Sequence, residues 1–278
     1  MNDTELEILT PSEYNWLDIL NLGYRYRVGD GINQNLKKGN EIYKNIFPYL
    51  KKEADFYGDA DSQYLVGNEY LQGNFMKTDY KQAFKYFKMS AELGHSYAQY
   101  LIGEMYECGH GFDVNIKEAL KWYKISAAHH NPLAYEDLGH FYRVGNNVKQ
   151  CSRTAMEYFQ KYIDHEWNHW DNDFKPTGYS EVCIGLYYEE GDIVKKDLKE
   201  AFKWYLKSAK IGQPYGQFEL SKCYEFGKGT IINYKKANQW LISSSEQGYT
   251  DAIELLRSNN SIWGKLVKYV FKKSITMP

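Results

Sequence analysis

The chain has little that would interrupt or cross-link it. Only six prolines occur in 278 residues, so helices can run without the lost N–H and ring clash that proline imposes. The four cysteines, Cys108, Cys151, Cys183 and Cys223, lie far apart with no C-x-x-C pair. They read as single thiols in a reducing compartment rather than as a disulfide framework. No run of eighteen apolar residues exists, so nothing in the sequence spans a membrane as a helix. An excess of charge of one sign is also missing: the net charge is −2, and no basic footprint recommends a nucleic acid or an anionic membrane as partner. The opening stretch "MNDTELEILTPSEYN" is acidic and has no apolar h-region, which predicts no secretory leader and a cytoplasmic location.

What the chain has in excess is tyrosine, 27 in all. Self-alignment explains them. "LGYRYRVG" (22–29), "VGNEYLQG" (66–73), "IGEMYECG" (102–109), "LGHFYRVG" (138–145), "IGLYYEEG" (184–191) and "LSKCYEFG" (220–227) share one pattern: an aliphatic residue, a small one, Tyr three later and Gly three after that. The small residues Gly23, Gly67, Gly103, Gly139, Gly185 and Ser221 are spaced by 44, 36, 36, 46 and 36. Sixteen residues after each stands another small residue: Gly39, Ala83, Ala119, Ala155, Ala201 and Ala237. Bulky pairs such as Tyr86-Phe87, Trp122-Tyr123, Tyr158-Phe159 and Trp204-Tyr205 follow. A fixed period with small and aromatic positions in phase is the mark of a helical solenoid.

Small residues on the first helix let two helices approach closely, and the Tyr on the same face fills the space beside them. The Gly ending that helix supplies a left-handed cap, which makes "GDG" (29–31), "GHG" (109–111) and "GKG" (227–229) turns rather than phosphate cradles. "KEALKWYKISA" (117–127) then has the spacing of a second helix. This pattern resembles the Sel-1-like repeat family over residues 15–257. The resemblance implies an all-α fold, a right-handed α-solenoid of tetratricopeptide-like helix–turn–helix repeats. They fall at 15–59, 60–95, 96–131, 132–177, 178–213 and 214–249, with 258–278 as a C-terminal capping helix or tail. The first repeat carries eight extra residues around 50–60, the fourth ten around 164–177, and Ser221 replaces the usual Gly.

"DHEWNHW" contains H-E-x-x-H at His165, Glu166 and His169, a zinc-protease signature when it lies on a long buried helix with a third ligand downstream. Here Asn168 takes an apolar position and "WDNDFKP" follows at once, so the match reads as accidental and no catalytic residue or metal site is assigned. His165 and His169 are the residues a metal would use. With His95, His129 and His130 they fall near second-helix ends, where protonated imidazoles gain from the helix dipole. Secreted cysteine-rich members of the resembled family have been linked to β-lactam hydrolysis. Their paired cysteines are missing here, so neither disulfides nor that activity carries over.

The resemblance further implies that first helices line a concave groove. Its outward positions give Tyr64, Asn68, Leu71, Tyr97, Tyr100, Glu104, Glu107, Glu136, His140, Arg143, Tyr179 and Glu189. Tyr97 and Tyr215 fit an inter-repeat packing role equally well. Tyrosines are rigid amphipathic anchors at interfaces, and Glu104, Glu107 and Glu136 would favour a basic partner segment. Trp167, Trp170 and Phe174 in the second insertion suggest a contact loop. The expectation is a non-catalytic scaffold or adaptor without cofactor, binding another protein. Its sharper form is a bacterial immunity protein that neutralises a toxin or effector by occlusion.

Overall fold

A computed structural model describes residues 16–29, 31–165 and 176–258. All regular structure among them is helical: α1 Trp16–Val28, α2 Leu36–Lys52, α3 Ala60–Gln72, α4 Tyr80–Glu92, α5 Ser96–Cys108, α6 Ile116–Ala128 and α7 Pro132–Val144. There follow α8 Ser152–Ile163, α9 Tyr179–Glu190, α10 Leu198–Ile211, α11 Pro214–Phe226, α12 Tyr234–Glu246 and α13 Thr250–Arg257. The chain divides into two compact units, Met1–Ala134 and Tyr135–Pro278. In each, helices pack as consecutive antiparallel pairs.

The pairs form where the sequence repeats. In the first unit, a Cβ added to Gly67 would meet the Phe87 ring at 2.7 Å, and one added to Gly103 would meet the Tyr123 ring at 2.5 Å. In the second, Gly139 and Gly185 stand in the same relation to Phe159 and Tyr205. These rings are fully buried, so the small residue is what lets an aromatic ring come so close to the facing helix. The first helix stops at a residue in the left-handed region, as expected: Gly109 has φ 72° and its N–H bonds to the Met105 carbonyl, a conformation that glycine adopts without a Cβ penalty.

The second helix starts at a polar cap a short loop after that glycine, as at Asn115 after Gly109. Asn35, Asp79, Asn115, Asp197 and Asn233 each accept a backbone N–H of the helix they begin, satisfying donors the helix cannot satisfy itself. Each cap's own N–H reaches back to a tyrosine carbonyl of the first helix: Asp79 to Tyr70 at 2.9 Å, Asn115 to Tyr106 at 2.8 Å and Asn233 to Tyr224 at 2.8 Å. The inter-helix turn is therefore stitched at both its atoms.

The first insertion lengthens α2 and ends it in a π-helical turn, Glu53–Tyr57, closed by Gly58. Glu166, Trp167, His169, Trp170 and Phe174 lie outside the described residues, as does the expected capping segment from residue 259 onward. No helix among the described residues is long and apolar enough to cross a membrane.

Candidate interaction surfaces

In the first unit, Tyr64 stacks on His95 with centroids 4.6 Å apart, and Tyr97 stands 6.3 Å from the Tyr64 ring. His95 does not act through a helix C-terminus as its spacing suggested. Its Nδ1 accepts the Ala98 N–H at 3.2 Å as the N-cap of α5, and its Nε2 faces Asp61 at 3.4 Å. An accepting Nδ1 requires the imidazole to be neutral at that nitrogen, so the dipole argument does not apply to it. The His95 hydrogen bond holds the Asp61 carboxyl below its usual range.

Tyr100 is 9% exposed and packs on the Tyr123 ring at 5.4 Å, so it offers a partner almost no surface. Burial pushes the Glu104 carboxyl up against a hydrogen bond from Tyr100. Glu107 accepts the Tyr123 hydroxyl at 2.6 Å. Asn68 is half-buried. Leu71 and Glu104 line a cavity of about 270 Å³ with Tyr80, Cys108 and His110.

In the second unit, burial pushes the Glu136 carboxyl up, although it accepts hydroxyls from Thr177 at 2.8 Å and Ser180 at 3.0 Å. Burial also opposes ionisation of Glu189, but Lys228 and the Tyr205 hydroxyl together hold its carboxyl below the usual range. Tyr179 is the hub of this face. Its hydroxyl lies 3.0 Å from His140 Nδ1, and the Arg143 guanidinium stands 5.7 Å from its ring centroid. Further along, Tyr215 stacks on Tyr249 at 5.6 Å and Phe218 lies 5.3 Å from the same ring.

The carboxylates expected to make an acidic groove are thus engaged within the fold, which weakens the argument for a basic partner segment. Tyr64, Tyr97 and His95 are brought together, as are His140, Arg143 and Tyr179. Tyr249 was missed, because it belongs to the turn before the last described helix rather than to a repeated first-helix position. Among the described residues no group of three or more His, Cys, Asp and Glu is placed to hold a metal ion. His165 is half-buried, with its N–H 3.3 Å from the Tyr162 carbonyl.

The Sel1 repeat family model matches residues 19–44, 60–95, 96–131, 132–164, 181–213 and 214–249. A Sel1 repeat protein from Oxalobacter formigenes superposes with a TM-score of 0.69 at 24% identity, over 86% of each chain. A protective antigen of SLR fold present in uropathogenic Escherichia coli strains gives 0.67 at 26% identity, over 92% of this chain and 50% of that one. The chitin synthase regulator SKT5 of Saccharomyces cerevisiae is 36% identical over 80 residues, 29% of this chain and 12% of that protein. The chain therefore spans half the length of the antigen and a small part of the yeast regulator.

Proposed function

The chain belongs to the Sel1 repeat family, whose members generally mediate protein–protein interaction, and on that premise we propose that it is a non-catalytic module holding a protein partner against its first helices. The observation that carries this reading is the row of half-buried aromatic side chains those helices present: Tyr64 and Tyr97 in the first unit, Tyr179, Tyr215 and Phe218 in the second. Such rings supply contact area at low entropic cost. Their packing on one another, as in Tyr64 on His95, fixes them before a partner arrives. A module of this kind acts by covering what it binds. The sharper form of the proposal is therefore neutralisation by occlusion, with the chain as a cytoplasmic immunity protein and a bacterial toxin or effector as its partner.

The test is affinity capture with the purified chain and with a Tyr64→Ala/Tyr179→Ala double variant, followed by chemical cross-linking of whatever is retained. A single protein lost by the variant and cross-linked to α3, α5, α9 or α11 supports the module. Capture that ignores both substitutions, with cross-links confined to α4, α6, α10 or α12, overturns it.

A further inference from the structure

Arg143, near the end of α7, is half-buried and pairs with no carboxylate among the described residues. Three carboxylates of that unit's first helices are engaged elsewhere: Glu136 by Thr177 and Ser180, Glu189 by Tyr205 and Lys228, and Glu219 by Lys222. What surrounds Arg143 instead is aromatic and neutral. Tyr179 supplies its ring and its hydroxyl, with Cys183 and Tyr187 alongside. The Nε of Arg143 is buried and has no hydrogen-bond partner among the described residues. A guanidinium carries five N–H donors in a planar fork, and a buried donor left unmade is costly.

We propose that Arg143, walled by Tyr179, is a carboxylate-binding site, and that its occupant is an acidic segment of the protein partner. This rests on the interaction-module reading above and specifies the partner's chemistry. The fork of an arginine matches the two oxygens of a carboxylate, and such pairs are about twice as strong as neutral hydrogen bonds. Desolvation beside the Tyr179 ring strengthens the attraction further, since little water remains to screen it. His140, exposed and one turn before Arg143, shares the Tyr179 hydroxyl and so belongs to the same patch. Next to the carboxylate, Tyr215, Phe218 and Tyr249 form an aromatic cluster suited to an apolar side chain of the same segment. Acid beside aromatic is the recognition pattern this face would read.

Three labelled hexapeptides, alternating Phe with Glu, with Gln or with Lys, would be titrated by fluorescence polarisation against the full chain and its Arg143→Gln and Arg143→Lys variants, each first checked for folding by its thermal melt. The Glu peptide is expected to bind the unaltered chain roughly tenfold more tightly than the Gln peptide. Arg143→Gln should abolish that preference, and Arg143→Lys, which keeps the charge but not the fork, should retain only part of it. Equal or tighter binding of the Gln or Lys peptide by the unaltered chain overturns the carboxylate site, whatever the variants do. A Glu preference that survives Arg143→Gln overturns it too. Failure of all three peptides, while affinity capture still yields a partner lost by the tyrosine variant, sinks the carboxylate site alone. Failure of both experiments sinks the module reading with it.

Discussion

The hydroxyl of Ser126 donates a 2.7 Å hydrogen bond to the backbone carbonyl of Ser96, 30 residues earlier. The same bond recurs from Ser90 to Ala60, from Ser208 to Gly178 and from Ser244 to Pro214. Each serine is fully buried on a second helix, and each acceptor lies at the start of the first helix of the same repeat. The fourth repeat has Tyr162 at this position, and its hydroxyl accepts the Thr177 N–H at 3.2 Å, on the far side of the second insertion. A longer side chain thus ties down a longer connection.

Ser126→Ala should therefore cost about 1–2 kcal/mol, because it removes a buried hydrogen bond that joins the two helices. Ser245, whose hydroxyl bonds only to Ile242 three residues back, should lose less than about 0.5 kcal/mol on the same change. Urea denaturation of both variants measures the difference as a shift in midpoint at constant slope. Equal losses would show that the Ser126–Ser96 bond contributes nothing specific to joining the two helices.

Gly103→Ala sets two effects against each other. Alanine in a helix interior gains up to about 1 kcal/mol in propensity over glycine. The new Cβ, however, would lie 2.5 Å from Cε1 of Tyr123, a buried ring anchored by its hydroxyl on Glu107, and overpacking of this kind costs about 1–3 kcal/mol. The clash should win, and the melting temperature should fall. A rise would mean that α5 and α6 separate easily.

The small–Tyr–Gly frame was legible because each of its positions makes a distinctive demand, whether close approach, a filled gap or a left-handed φ, and the demands recur in register six times. The serines and the Asn or Asp caps recur in the same register, yet short polar residues also suit a solvated surface, so their buried work is invisible until the helices are paired. His95 was misread for a related reason. Only Leu93 and Gly94 separate the end of α4 from the N-cap of α5, and spacing cannot tell a dipole-stabilised imidazolium from an accepting imidazole. Charge counting misled most. It records Glu104, Glu107 and Glu136 as negative, whereas burial and hydroxyl partners decide how much of that charge a partner could meet. Arg143 was named for the groove, but its significance came from its having no carboxylate beside it among the described residues, which only three-dimensional placement reveals.

Cys151 takes the cap position that Asp or Asn fills before the other second helices, and its side chain makes no capping bond to α8. Its N–H still reaches the Tyr142 carbonyl at 2.9 Å, so the backbone is already in the capping geometry. Cys151→Asn should accordingly raise stability by about 1 kcal/mol. The gain should appear as a higher midpoint in urea, with Thr154, which now donates to the thiol at 3.2 Å, free to re-orient. A loss of stability would mean that the thiol is packed where a carboxamide does not fit.

Glu136 connects stability to pH. Burial raises its carboxyl above the usual 4.5 in the folded chain, so the folded state holds the proton more tightly than the unfolded one. Its stabilising contribution is then fully present below the unfolded value and is lost as pH rises through the folded value. Glutamine keeps an acceptor for Thr177 and Ser180 without carrying a charge that burial opposes. Glu136→Gln should therefore match the unaltered chain at pH 4, where the carboxyl is largely neutral, and exceed it at pH 8. Thermal melts at the two pH values decide the matter. A variant less stable at pH 8 would mean that the ionised carboxylate is held by an attraction outweighing its desolvation.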